Sequence, residues 1–356
     1  MLSPDDLKRD TGVLTLAFEG GYGGKGILPG IEFDDLLRGF EELKNNQKTL
    51  SSDLLCDQIS ALFNTTSDYH LTAHIENRTC GRTWPQSTVG KNSGSGDQNR
   101  TWSSFSKDKN GKTISVLSLR AMSPDGSPEW NGFLDRVRDL VNTHQSFIID
   151  LRGNGGGSMS HQIDMARILY GLSPLEEIPS PKKEVYRRKT AEASAILANY
   201  YWLVMQENES LHRTTPDYIK SGYQEFVQLD ENAKKGLIPS VEVQKFGGAT
   251  FDPARAVSIP IYVLIDRGCG SSCELALENL EKLPSVQTVG ENTTGVLQYG
   301  FVGNLYLPSS HVIIHLPTQG THYDDNRQVE KIGYAPKWRV PSGTDALDFT
   351  LETFFK

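Results

Sequence analysis

Residues 146–157, SFIIDLRGNGGG, run from a short β-branched apolar segment straight into three consecutive glycines. The apolar part reads as a buried strand, because it is short, branched and ended by turn formers. A helical pattern begins near Ser160. The glycines between them permit positive φ and a close backbone approach. They also leave N–H groups unshielded at a helix start, where an anion is favoured. That anion is either a phosphate or the oxyanion of a tetrahedral intermediate. No GxxxxGK[ST] pattern accompanies the glycines, which weakens the phosphate reading. On the glycines alone, a tight strand-to-helix turn ranks first as the reading of the segment.

Further along the chain, ISVLSL (114–119), IPIYVLI (259–265) and HVIIHL (311–316) repeat the strand signature. Helical spacing covers roughly 130–142, 160–170 and 274–283. Strands alternating with helices define an α/β fold. Towards the N-terminus the pattern is helical. Phe33, Leu36, Leu37, Phe40 and Leu43 share one face, and a second helix capped by Ser51 or Ser52 buries Leu55, Ile59 and Leu62. The Ser-, Gly- and Asn-rich stretch 81–110 reads as a long surface loop. Residues 172–250 interrupt the α/β pattern with a helix predicted over 191–206. The expected organisation is therefore 1–110 as an N-terminal helical part carrying His70, and 111–356 as an α/β domain with a helical insertion at about 172–250. Tyr200, Tyr201 and Trp202 make that insertion either a cover for a cleft or, as its aromatic helix favours, a packed elaboration.

Composition narrows the partners. The chain has 356 residues, a net charge of −8, 37% hydrophobic and 22% charged residues. This is ordinary globular composition, and an acidic chain without a clustered basic surface does not suit nucleic acid. No run of 18 apolar residues exists, so no membrane span is expected. The opening MLSPDDLKRD lacks a basic segment followed by an apolar core, so a signal peptide is expected to be absent or removed. Five Asn-x-Ser/Thr sequons, at Asn64, Asn77, Asn99, Asn208 and Asn292, decide nothing about secretion in a chain rich in Asn and Thr. Of the four cysteines, Cys56, Cys80, Cys269 and Cys273, none forms a CxxC pair, which argues against structural zinc.

Gly268-Cys269-Gly270-Ser271-Ser272-Cys273-Glu274 lies where a strand turns into a helix. A serine there is exposed and feels the positive end of the helix dipole. Ser271-x-x-Glu274 is equally a capping box, a purely structural device. A serine nucleophile needs a base and an orienting group. His161 follows the triple glycine. His311 and His315 would share one face of a strand, but no third metal ligand is evident. His70 follows the polar stretch 64–68, and spacing alone does not choose among them. Glu330, in VEKIGYAP (329–336), is able to hold an imidazole or to be an unremarkable surface carboxylate.

Taken together and in order, these segments resemble the C-terminal-processing (tail-specific) serine peptidases over roughly residues 30–340. IIDLRGNGGG resembles the family's Asp-x-Arg-x-Asn-x-Gly-Gly signature. VLIDRGCGSSCE resembles its nucleophile segment, in which the reactive serine lies three residues before a glutamate, hence Ser271. VGENTTG resembles the Gly-Glu-x-Thr-x-Gly loop. The better-known branch places a lysine base just after that loop, but here Val296 and Leu297 follow Gly295. The branch typified by the tricorn protease core uses Ser, His and Glu. TTSDYHLTAHIE is similar to its histidine segment, implying His70, and VEKIGYAP matches its Glu-x-x-Gly-x-x-Pro stretch at Glu330.

The resemblance implies a ClpP/crotonase-like α/β core with an N-terminal helical part and a helical insertion, resembling the retinoid-binding-protein-like and tricorn-core members. About forty residues separate His70 from the strand at Thr113, so no PDZ domain is expected. It further implies acyl-enzyme hydrolysis of a protein or peptide substrate at Ser271. His70 is the general base, Glu330 its orienter, and backbone N–H groups of Gly155 or Gly156 and of Ser272 form the oxyanion hole. No metal or organic cofactor is called for. An exported location follows from the resemblance, and Cys56 could then pair with Cys80; whether Cys269 and Cys273, which flank the serine, pair or stay free thiols is left open by the sequence. The alternatives are a non-catalytic ligand- or peptide-binding protein on the same fold, and an acyl-CoA enzyme of crotonase type, which would leave Ser271 and Glu330 without roles.

Overall fold

The computed structural model describes residues 1–82, 84–90, 101–122, 128–158 and 161–356. The sequon Asn99 and the side chain of His161 lie outside what is described. The chain forms two compact units. The first contains 1–83, 183–245 and 298–323, and the second 84–182, 246–297 and 324–356.

The second unit is built on a six-stranded sheet. Its order across the sheet is Trp338–Arg339, Val286–Gly290, Ile261–Ile265, Phe147–Asp150, Lys112–Leu119 and Trp102–Lys109. All neighbours run parallel except the last pair, which is antiparallel with Ser106 opposite Ser115. The FIID and IYVLI strands are buried along their whole length. Their residues alternate between two cores, as period-2 geometry requires. Leu117, Phe147, Ile149, Ile261 and Val263 face one core with Phe133, Leu169 and Leu277. Val116, Ile148, Tyr262 and Leu264 face the other with Leu347 and Leu351 of the helix Ala346–Phe354. Continuous apolar strands are what a sheet covered on both faces demands. Because consecutive parallel strands are joined by helices, the segments leaving their C-terminal ends gather at one edge of the sheet.

The first unit has its own sheet, in the order Arg78–Thr79, Thr72–Ile75, Ile313–Tyr323, Lys183–Arg188, Val241–Phe246, with Tyr299–Tyr306 also paired to Ile313–Tyr323. The helices Pro4–Gly20, Gly30–Lys44 and Ser52–Asn64 supply its core through Leu14, Phe18, Phe40, Ile59 and Phe63. Ser51 caps the third, accepting the Leu54 N–H at 3.1 Å.

Several expectations are corrected. The boundary at 110/111 does not hold, because Trp102–Lys109 is a strand, not loop, and pairs along its full length with Lys112–Leu119. The insertion joins the N-terminal helices. Lys183–Arg188 pairs with Ile313–Tyr323, and Ile196 of the helix Ala191–Ser210 lies in the core with Leu14 and Phe18. A second helix, Asp217–Lys234, packs on it through Phe226 and Tyr201. The aromatic stretch is thus in part a packed elaboration, with Tyr201 stacked on Phe226 at 5.7 Å. His311 does not share a strand face with His315. It precedes the strand Ile313–Tyr323 in a left-handed conformation, φ 62°, and bonds the Tyr306 hydroxyl. The cysteine pairing that the sequence left open is resolved: Cys269 and Cys273 form a disulfide, as do Cys56 and Cys80.

Candidate active site

Two adjacent parallel strands, Phe147–Asp150 and Ile261–Ile265, deliver the glycine segment and the serine segment to the same sheet edge. Asp266 ties them together there. Its Oδ1 accepts the N–H of Gly153 at 2.8 Å and of Gly268 at 2.9 Å, and the Gly270 N–H donates to the Asn154 carbonyl at 3.1 Å. The glycine requirement is steric. A Cβ on Gly156, whose φ is +99°, would stand 2.8 Å from the Gly270 oxygen, 2.9 Å from Ser271 Cβ and 3.0 Å from the Ser272 nitrogen. The polar residues of the signature hold this shape. Buried Arg152 pairs with Asp150 at 2.8 Å and with Asp345 at 3.1 Å, and donates to the Gly90 carbonyl. Asn154 donates to the Leu119 carbonyl and accepts the Gly156 N–H at 2.9 Å. That last bond removes Gly156 from the expected oxyanion donors and leaves Gly155 of the pair.

Ser271 caps the helix Ser272–Leu280 with φ 56° and ψ −124°. A non-glycine residue held there costs about 1–3 kcal/mol, a strain typical of functional turns. Ser271 and Glu274 form a capping box, and the Glu274 N–H also donates to the Ser271 carbonyl at 2.8 Å. Ser271 is half-buried, whereas Ser272 is 2% exposed, so Ser271 is the accessible one of the two.

Glu274 does more than cap. It is fully buried and accepts from Thr293 Oγ1 at 2.5 Å, the Val296 N–H at 2.7 Å, the Gly295 N–H at 2.8 Å and the Ser271 N–H at 3.3 Å. Burial raises its pKa, against these four bonds. The glutamate thereby fixes loop 291–296 to the serine turn, a role that sequence reading reduced to a cap. The same loop anchors Glu330. The Lys331 N–H donates to the Gly295 carbonyl at 2.8 Å, Tyr334 N–H to Thr293 Oγ1 at 2.7 Å, and Glu330 Oε2 accepts the Leu297 N–H at 3.0 Å. Glu330 is 6% exposed, not a surface carboxylate. Buried Val296 and half-buried Leu297 occupy the positions just past Gly295, where the lysine branch would carry its amine.

His70 belongs to the first unit, apart in the chain from the other five predicted residues. Its turn is built by Asp68, missed in the sequence although the polar stretch 64–68 contains it. Asp68 Oδ1 accepts the N–H of His70 at 2.7 Å and of Leu71 at 3.3 Å, and Oδ2 accepts the Tyr22 hydroxyl at 2.7 Å. Burial pushes the Asp68 carboxyl up to about 6. Arg82 braces the same turn, donating to the Tyr69 carbonyl at 2.6 Å. Burial first, then the charges of Arg82 and His315, lower the His70 pKa to about 3, so the imidazole is neutral at pH 7 and able to accept a proton.

A family model described as peptidase family S41 matches residues 113–340, more than half of the chain. The chain belongs to peptidase family S41. No curated protein matches it. Among solved structures, a candidate peptidase from Parabacteroides merdae aligns over 99% of this chain and 96% of its own, with 15% identity and a TM-score of 0.57. At that identity the likeness is one of fold, and it is the mixed α/β fold expected. A photosystem II D1 C-terminal processing protease matches at 14% identity over 65% of this chain, TM-score 0.35. Mature CPAF complexed with lactacystin matches at 21% over 69%, TM-score 0.38. The chain spans 43% and 50% of the lengths of those two proteins.

Proposed function

We propose that the protein is a serine peptidase that hydrolyses peptide bonds through an acyl-enzyme at Ser271. The observation that carries the reading is the left-handed serine turn with Gly156 packed against it and Glu330 anchored to the same loop system. In this mechanism the Ser271 hydroxyl attacks the carbonyl carbon while neutral His70 takes its proton. Glu330 holds the imidazole and stabilises its charged form. The N–H groups of Gly155 and Ser272 receive the oxyanion, each such donor being worth roughly 3 kcal/mol in the transition state. His70 then protonates the departing amine, and water releases the acyl group by the same steps. The assignment of His70 and Glu330 rests on the family segments, on the Asp68-built turn and on the neutral imidazole. The substrate is a protein or peptide chain. Among the described residues no helix is long and apolar enough to cross a membrane. Two disulfides favour an oxidising, exported location, which intact-mass measurement of the native protein before and after reduction tests.

Treatment with a fluorophosphonate followed by peptide mapping tests the central claim. The adduct is expected on Ser271 alone. An unmodified protein, or an adduct elsewhere, rejects the peptidase reading and favours the binding protein. The pH dependence gives a second check. Because the imidazole pKa lies below the ordinary 6.5, the acylation rate is expected to hold on acidification from pH 7.5 to 6.5 and to fall only below that. A limb centred at or above pH 6.5 contradicts the neutral-base assignment.

A further inference from the structure

We infer that the Cys269–Cys273 disulfide is a positioning element for the nucleophile: the bridge holds the turn that presents Ser271, and the serine is fully reactive only while the bridge is closed. This rests on the proposed role of Ser271. The two sulfurs join residues four apart in sequence, with Ser271 midway between them. Cys269 lies on the strand side of the turn and Cys273 in the first turn of the helix Ser272–Leu280. Both are fully buried in the core that carries Phe133, Ile149 and Val263, so both ends of the bridge are fixed.

Between them stands a non-glycine residue with φ 56°. Gly268 and Gly270 flank Cys269, and glycines enlarge the set of shapes such a turn can take. Besides the bonds of Gly268, Gly270, Ser271 and Glu274 given above, Cys269 N–H donates to the Asp266 carbonyl at 3.0 Å, Thr294 N–H to the Cys269 carbonyl at 2.8 Å and Cys273 N–H to the Gly270 carbonyl at 3.1 Å, each a single non-covalent link. The cross-link removes the alternatives covalently. It is a poor general staple, since the chain-entropy gain grows with loop length and this loop is far shorter than that closed by Cys56 and Cys80, 24 apart. Its effect is therefore concentrated on local geometry, where a displacement of the nucleophile lowers rate steeply.

The test compares the parent, the variant Cys269→Ser/Cys273→Ser, and Leu280→Ala, a cavity at the far end of the same helix that lowers stability without touching the turn. Two quantities are read at a temperature where all three are folded: the second-order rate of fluorophosphonate acylation, and hydrogen exchange of amides 268–275. The double serine variant is expected to acylate about tenfold more slowly or worse, with faster exchange in that segment, while Leu280→Ala keeps the parent's acylation rate. Unchanged acylation in the double variant, an equal loss in Leu280→Ala, or unchanged exchange overturns the inference. If the parent itself is not acylated, the nucleophile reading falls. Exchange alone then decides whether the bridge holds the turn.

Discussion

Alanine at Ser271 and alanine at His70 are each expected to lower peptide hydrolysis by about 10⁴–10⁶-fold, and the double variant to lose little more than the worse single one. The non-additivity is the informative part. A serine alcohol is a weak nucleophile until a neighbouring base removes its proton, so deleting either group disables the same step. Whatever activity remains comes from binding and backbone donors. Neither variant should unfold the protein. The backbone at position 70 is fixed through the N–H groups of His70 and Leu71, both held by Asp68 Oδ1. The turn at 271 is held by Glu274 and its own backbone bonds. Initial rates on an unstructured protein substrate, with melting curves as control, give the answer. Losses that multiply, or a His70 variant within about tenfold of the parent, exclude the shared step.

Arg152→Met is expected to cost about 3–5 kcal/mol of stability, read as a lowered urea midpoint with unchanged slope. The side chain of Arg152 is 2% exposed and that of Asp150 7%. Removing the guanidinium strands Asp150 in a nearly dry site, releases Asp345 and leaves the Gly90 carbonyl without its donor. Replacing both members of the inner pair, with Asp150→Leu added, should recover part of the loss, because no uncompensated charge then remains. A cost under about 1 kcal/mol for the single variant would show that water reaches this pair and that the signature arginine is not structural.

How much of this was visible beforehand varies with the physical origin of each element. Strands such as FIID and IYVLI were plain because burial on both faces forces an unbroken apolar run. Trp102–Lys109 was hidden for the opposite reason. It is an edge strand with no buried residue, carrying half-buried Lys107 and Lys109 and exposed Asp108, so its composition matches a loop. Ser271 and Glu330 came from segment resemblance, and burial of Glu330 could not be read from one carboxylate in a polar stretch. Glu274 was read only as a cap and Asp68 was overlooked, because their carboxylates accept from backbone N–H groups remote or local in the chain, and backbone partners leave no trace in side-chain patterns. The 269–273 pairing stayed open because it depends on a turn geometry that spacing does not specify.

The interleaving of the two units has a consequence for biosynthesis. Ile313–Tyr323 is the strand on which Thr72–Ile75, Lys183–Arg188 and Tyr299–Tyr306 all pair. Until the ribosome has released it, those three strands have no common partner, and the N-terminal helices wait with an open hydrophobic face. Closure of that sheet is consequently a late event joining segments more than two hundred residues apart, the kind of non-local step that slows folding and calls on chaperones.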